Sequence, residues 1–115
     1  MGTRESTIEF IEEQLSSLSG VRTRKMFGEY ALYYMDIVVA LVCDDQVFIK
    51  VTHEGKEFAE GKWTEGYAYP GAKMSMNITD AIDDREFFVH LVEITAKSLL
   101  SSKAAKAKVN PHTRG

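Results

Sequence analysis

An α+β fold is predicted for this chain: two layers, with an antiparallel sheet of about five to six strands and flanking helices. Both ends of the chain carry apolar residues at helical spacing. Between them, short runs of β-branched and aromatic residues alternate with turn residues, and the turns are too short for anything except antiparallel hairpins. The predicted order of elements is α-β-β-β-β-α-β-β-α.

The length of 115 residues fits one domain, and a hydrophobic share of 44% with a charged share of 27% is typical of globular proteins. We expect the domain to occupy residues 1–108 and a flexible tail to follow over residues 109–115. The apolar runs are too short to cross a bilayer, and the start of the chain has no signal-peptide pattern. A cytoplasmic protein without a membrane partner is expected.

The first helix is predicted to begin at the capping box Ser6-Thr7-Ile8-Glu9, in which the Ser6 side chain accepts from a free backbone amide. Its apolar stripe at helical spacing is Ile8, Ile11, Leu15 and Leu18. Gly20 is the expected left-handed stop. The helix should therefore pack one face against a flat partner.

Four runs predict that partner as the strands Arg22–Phe27, Tyr30–Met35, Val38–Cys43 and Gln46–Val51. The breaks between them are Gly28-Glu29, Asp36-Ile37 and Asp44-Asp45. Aspartate and glycine tolerate the positive φ of tight turns, so an antiparallel meander is predicted. In the fourth strand Val47 and Ile49 alternate with Phe48 and Lys50, which indicates one face on the core.

The second half of the chain predicts two helices and two further strands. Thr52 is a candidate cap for a short helix over residues 53–60, with Phe58 turned inward. Tyr67–Tyr69 and Met74–Ile78 are predicted to extend the same sheet. The last helix is predicted from about Asp84 to Ala105, because acidic residues at its start favour the positive end of the helix dipole.

No catalytic, metal or cofactor site is predicted. His53, His90 and His112 do not repeat at ligand spacing, and no glycine-rich phosphate loop is present. Cys43 is the single cysteine, which excludes an internal disulfide, and its apolar neighbours indicate a core or near-core position. Asp44-Asp45 is explained by a turn.

The net charge of −3 argues against a general coat for nucleic acids, which would need a basic excess. The charge is unevenly placed, since the first helix is acidic and no acidic residue follows Glu93. The last fifth of the chain is therefore basic.

Arg22, Arg24 and Lys25 form a basic cluster in the first predicted strand. Arg22 and Arg24 share one face of that strand, close to Tyr30 or Tyr33 across the turn. Basic residues beside aromatic rings can hold a phosphate or a stacked base. They can equally be charges that protect a sheet edge from strand addition, and the sequence favours this second interpretation.

Tyr30, Tyr33, Tyr34, Tyr67 and Tyr69 form a second candidate set. Tyrosine is frequent on contact surfaces, so these rings could belong to a partner-binding face. They could also cover the exposed side of a thin sheet. The residues leave both interpretations open.

Residues 22–33, with their Met-Phe-Gly-x-Tyr-x-Leu-Tyr core, resemble the opening of the N-terminal domain of the TfoX (Sxy) family of bacterial competence regulators. The resemblance continues through Ala40-Leu41-Val42, Asp44-Asp45 and Phe48-Ile49-Lys50 to Phe58, and it covers most of residues 5–100. It implies an α+β fold similar to secretion-chaperone-like domains and no enzyme activity.

The resemblance also implies a role. TfoX proteins carry a second, helical domain and act in transcriptional activation of DNA-uptake genes, whereas this chain is expected to be a stand-alone single-domain member. We expect a binding or regulatory module that acts through protein contacts, and a homodimer is compatible with this. The alternative is direct nucleic-acid binding through Arg22, Arg24, Lys25 and the basic end of the last helix.

Overall fold

The computed structural model describes residues 2–109, with side chains up to Ser102. The helices are α1 (Glu5–Gln14), α2 (His53–Phe58) and α3 (Arg85–Val109). The strands are β1 (Arg22–Met26), β2 (Glu29–Tyr34), β3 (Ile37–Cys43), β4 (Gln46–Ile49), β5 (Thr64–Gly66) and β6 (Ser75–Asn77), and a turn of 3-10 helix follows at Thr79–Ala81. The predicted α+β class and the order of its elements are confirmed.

The six strands form one antiparallel sheet in the order β1-β2-β3-β4-β6-β5. Three two-residue turns join the first four strands: Phe27-Gly28, Met35-Asp36 and Asp44-Asp45. Both residues of each turn have positive φ, the geometry whose twist matches the flanking strands. The predicted meander is therefore confirmed, with the first two turns one residue earlier than expected.

The core lies between one face of the sheet and the two long helices. Its largest fully buried side chains include Ile11 from α1, Leu15 just after α1, Leu32, Val42, Val47 and Ile49 from the sheet, and Phe88, Leu91 and Val92 from α3. The register between β2 and β3 shifts after Leu32, which leaves Val39 as an extra residue in β3. Val39 is fully buried and joins this core.

The predicted capping box at the start of α1 is wrong. The helix begins at Glu5, its cap residue is Arg4, and Arg4 makes no side-chain capping bond. The helix also ends earlier than expected, at Gln14, although Gly20 has the predicted left-handed φ of 91°. The side chain of Asp45, from the turn between β3 and β4, holds the start of the helix instead, since it accepts from the Arg4 amide and from the Thr7 hydroxyl.

The fifth strand lies at Thr64–Gly66 and not at the predicted Tyr67–Tyr69. β5 pairs with β6 through Glu65 and Met76, so the polar segment before the tyrosines forms the sheet edge. The chain then leaves the sheet and folds across Phe48. This explains why Phe48, expected to face away from the core, is only 6% exposed.

The helix α2 is capped by Thr52, as predicted, since Thr52 Oγ1 accepts from the backbone amide of Gly55 at 2.9 Å. The prediction that Phe58 turns inward is wrong, because Phe58 is 42% exposed and its ring stacks on Phe87 with 5.5 Å between centroids. Gly55 and Ala59 occupy the buried side of this short helix instead.

Asp84 caps α3, as expected, with its Oδ1 accepting from the Phe87 amide at 3.2 Å. The helix runs past its predicted end at Ala105 to Val109. The rest of the predicted tail, including His112, lies outside the described residues. Within residues 2–109, none of the helices is long and apolar enough to cross a membrane.

Candidate interaction surface

Among the helices of residues 2–109, none covers the outer face of β1, β2 and β3. Residues directly opposite in an antiparallel pair share a face, and the pairs here are Arg22 with Tyr33, Arg24 with Ala31, and Ala31 with Leu41. None of these five side chains belongs to the core beneath α1 and α3. Arg22 and Arg24 are exposed, Tyr33 and Leu41 are half-buried, and Ala31 is fully buried between its neighbours. We call the surface formed by Arg22, Arg24, Tyr33 and Leu41 the open face.

Arg22 and Tyr33 make direct contact on the open face. The Arg22 guanidinium carbon lies 4.3 Å from the centre of the Tyr33 ring, within the range of a cation–π interaction. Arg22 Nη2 also lies 3.5 Å from Asp36 Oδ1, from the turn between β2 and β3. The charge of Arg22 is therefore partly compensated within the chain.

Arg24 is exposed, and no ion pair joins it to a carboxylate among the described residues. It lies between Arg22 and Met26 along the same face of β1, and Met26 is 38% exposed. The open face therefore combines an uncompensated cation with aromatic and apolar surface.

Lys25 and Tyr30 do not belong to the open face. They are opposite one another across β1 and β2, one residue out of phase with Arg24, and the Tyr30 side chain packs against the core. The basic cluster of β1 is thus divided between two faces of the sheet, and the candidate partner of Arg22 is Tyr33 rather than Tyr30.

Tyr67 and Tyr69 lie in the loop that follows β5, and each is 56% exposed. We call residues Tyr67–Gly71 the tyrosine loop. It lies over Cys43 and Phe48 and encloses with them a pocket of about 590 Å³, with Asp44 and Gln46 also lining it. The predicted tyrosines are therefore brought to the same side of the sheet as Tyr33.

Gly66 explains how the tyrosine loop approaches the sheet so closely. A Cβ atom at Gly66 would lie 2.7 Å from Cε1 and 2.9 Å from Cδ1 of the Phe48 ring. Only glycine leaves room for this ring beside β5.

Phe27 was not among the predicted surface residues. It is the first residue of the turn between β1 and β2, its φ is 49°, and its relative exposure is 104%. The sequence assigned it to the end of a strand. The Phe-Gly pair, in the place where hairpins favour Asn-Gly, was the signal that could have revealed it.

The groups capable of chemistry are dispersed. Among residues 2–109, no three His, Cys, Asp or Glu side chains gather as a metal site would require. His53 lies 3.3 Å from Glu57 on the surface of α2, and His90 is exposed beside the Phe58 ring. Burial first, and then the nearby Glu29 carboxylate, raises the pKa of the Cys43 thiol above its ordinary value of 9.0. The thiol is therefore a poor nucleophile at neutral pH.

A second cleft, of about 720 Å³, shares Gln46 with the first pocket and lies where Trp63 and Lys62 face the start of α3. Lys62 Nζ is 3.8 Å from Asp84 Oδ2 and 5.0 Å from the centre of the Phe87 ring. These contacts hold the loop before β5 against α3. The cleft is lined by both polar and apolar surface, and none of its lining residues is a serine, a cysteine or a histidine.

Comparison with known proteins agrees with this architecture. An uncharacterized 12.7 kDa protein from Spirochaeta aurantia, described by its position in the trpE 5' region, is 38% identical over 108 residues, which is 94% of this chain and 93% of that protein. The family model of the TfoX N-terminal domain matches residues 13–99. This match includes every strand of the sheet, α2 and the part of α3 that packs on it. The chain is a member of the TfoX N-terminal domain family.

Proposed function

We propose that this chain is a non-catalytic binding module that acts through protein–protein contacts in transcriptional regulation, with the open face and the tyrosine loop as its contact surface. One observation carries the proposal: within residues 2–109 no helix covers the outer face of β1, β2 and β3, and that face combines Tyr33 and Leu41 with an uncompensated Arg24. Aromatic side chains and arginine are the residues that contact surfaces favour.

Membership of the TfoX N-terminal domain family supports a regulatory rather than an enzymatic role. The dispersed histidines and the raised pKa of Cys43 agree with it, since neither provides an activated group. We place the module inside the cell, where transcription takes place.

Direct nucleic-acid binding is less well supported. It would need a continuous basic surface, whereas Arg22 is paired with Asp36 and Lys25 points to the opposite face from Arg24. The basic residues at the end of α3 have no described side chains and add no support.

The experiment is capture of partners from lysate of the source organism on immobilised protein, with and without nuclease and at two salt concentrations. The wild type is compared with a double variant, Arg24→Glu with Tyr33→Thr, which changes the open face but keeps a residue suited to a strand. The matched control is Lys25→Glu, which makes the same charge change on the same strand but on the other face.

The proposal predicts a defined protein that survives nuclease, is lost from the double variant and is retained by Lys25→Glu. Retention by all three proteins would reject the open face as the surface. Loss of the captured material with nuclease and with moderate salt would instead identify a nucleic acid as the partner.

A further inference from the structure

The tip of the hairpin between β1 and β2 places a bare aromatic ring in solvent. Phe27 is fully exposed and the preceding Met26 is 38% exposed, so the two side chains form an apolar protrusion. We call Met26 and Phe27 the finger.

The local turn does not explain the choice of phenylalanine. Phe27 and Gly28 have φ values of 49° and 83°, a conformation in which asparagine is favoured at the first position and a bulky side chain is strained. Packing does not explain it either, because the ring is uncovered. A residue that is unfavourable for both the turn and solvation indicates a contact made outside the chain.

A suitable receptor lies on the molecule itself. The pocket beside the tyrosine loop is open to solvent and has a volume of about 590 Å³. Its apolar and aromatic lining residues are Cys43, Phe48, Tyr67, Ala68, Tyr69 and Pro70, and Asp44 and Gln46 are its polar ones. An aromatic ring from another molecule would meet apolar and aromatic surface there.

The finger and the pocket lie at the same end of the sheet. The turns that carry Phe27 and Asp44 are adjacent, and Thr3 bridges them: its amide donates to the Gly28 carbonyl at 3.2 Å, and its Oγ1 accepts from the Asp45 amide at 3.2 Å. Each copy therefore presents a protrusion and a recess side by side, which is the arrangement that a two-fold symmetric pair requires.

The charges agree with this pairing. Arg24, at the base of the finger, lies on the same face of the sheet as Phe48 of the pocket, is exposed, and makes no ion pair with a described carboxylate. Asp44, exposed at the rim of the pocket, is likewise in no ion pair with a described residue. When Phe27 of one copy enters the pocket of the other, Arg24 of the first copy would lie close to Asp44 of the second, and the two opposite charges would attract.

We propose that Phe27 of one copy inserts beneath the tyrosine loop of a second copy, so that the chain forms a two-fold symmetric dimer through two such contacts. This goes beyond the proposed function, because it concerns contact of the chain with itself. It is tested on purified protein, so its failure leaves the proposal of a separate partner standing.

Sedimentation of the purified chain over the micromolar range is the first measurement, with the variants Phe27→Asn and Met35→Asn. Met35 is the matched control, because it is also the exposed first residue of a two-residue turn, with φ 56° and 50% exposure, at the other end of β2. Asparagine suits both turns, so both variants should fold and melt at or above the temperature of the wild type.

We expect a concentration-dependent dimer for the wild type and for Met35→Asn, and a dimer weakened by about tenfold or more in Phe27→Asn, as for a central aromatic anchor. A wild type that stays monomeric would overturn the proposal. So would equal effects of the two variants. If the protein stayed monomeric and bound vesicles containing phosphatidylserine through Phe27, the dimer would be rejected and the finger would be a lipid-binding element.

Cysteine cross-linking locates the contact. Cys43 is the single cysteine of the chain and lines the pocket. Because burial raises the pKa of its thiol, the oxidation is run at alkaline pH, and at a high protein concentration that offsets the weaker pairing without the Phe27 ring. Under these conditions the variant Phe27→Cys should form a disulfide between residue 27 of one copy and Cys43 of the other. Peptide mapping identifies the linked residues, and Met35→Cys serves as the control. Links between two copies of residue 27 alone would overturn the insertion.

Discussion

The backbone amide of Arg4 donates to the carboxylate of Asp45, with 2.9 Å between Arg4 N and Asp45 Oδ1. The same oxygen accepts from Thr7 Oγ1 at 2.8 Å, and Asp45 Oδ2 lies 3.1 Å from Arg4 Nε. The first turn of α1 is thus held by a residue 41 positions away in the sequence. The turn between β3 and β4 and the start of the chain stabilise each other.

We predict that Asp45→Gly lowers the melting temperature, although glycine suits the φ of 64° at this position. The reason is that the first turn of α1 loses its acceptor. Asp36→Gly is the matched control, since Asp36 is the second residue of the same kind of turn, with φ 63°. Its ion pair with Arg22 is exposed and contributes little to stability, so glycine should be tolerated there. Thermal unfolding followed by circular dichroism measures both. If Ser6→Ala lowered the melting temperature as much as Asp45→Gly does, the predicted capping box would be supported instead.

Acid should remove the contribution of Asp45. The hydrogen bond from the Arg4 amide, followed by that from Thr7, lowers the pKa of the Asp45 carboxyl below its ordinary value of 3.8. Since the folded-state pKa is depressed, the stabilisation is complete above that value and is lost as the pH falls through the lower folded pKa. The difference in stability between the wild type and Asp45→Gly should therefore be constant near neutral pH and shrink below about pH 3.8. A difference that stays constant into strong acid would contradict this.

Gly55→Ala should destabilise the fold even though alanine favours helices by about 1 kcal/mol over glycine. A Cβ at Gly55 would lie 2.7 Å from Thr52 Oγ1, the atom that caps α2, and 3.5 Å from Leu91 Cδ1. We expect a net loss of about 1–3 kcal/mol in the free energy of unfolding, the usual cost of overpacking. Chemical denaturation measures it. The loss should be smaller when Thr52→Ala is already present, because the clash with the Thr52 hydroxyl is then gone. Equal losses in the wild-type and Thr52→Ala backgrounds would show that this clash is not the cause.

Thr95→Val should raise the free energy of unfolding by about 1 kcal/mol. Thr95 Oγ1 is buried and has no hydrogen-bond partner among the described residues, so the folded state leaves a polar group unsatisfied. Thr52→Val makes the same chemical change at a hydroxyl that caps α2, and it should instead cost about 1 kcal/mol. Denaturant unfolding measures the free energy of unfolding of both variants. If Thr95→Val destabilised the fold as Thr52→Val does, the Thr95 hydroxyl would have a hydrogen-bond partner.

The candidate surface was predictable only in part. The period of a strand places Arg22 and Arg24 on one face in any register, because side chains alternate. A two-residue turn places Tyr33, and not Tyr30, on that face in either register. The shift of the turn to Phe27-Gly28 decided that Tyr33 lies opposite Arg22 instead of Arg24. The same shift moved Phe27 from a strand end to the tip of the finger.

The sequence by itself determined the class, the order of the elements and the antiparallel meander, because these depend on residues close together in the chain. Asp44-Asp45 specifies its own turn, and Thr52 and Asp84 cap the helices that follow them. Only the tertiary structure decided where α1 begins and which segment forms β5, since those depend on Asp45 and on pairing with β6. The burial of Phe48 beneath the tyrosine loop belongs to the same group. Contacts between residues far apart in the chain leave no pattern in the local sequence. These contacts form the pocket and determine which face of the sheet stays open.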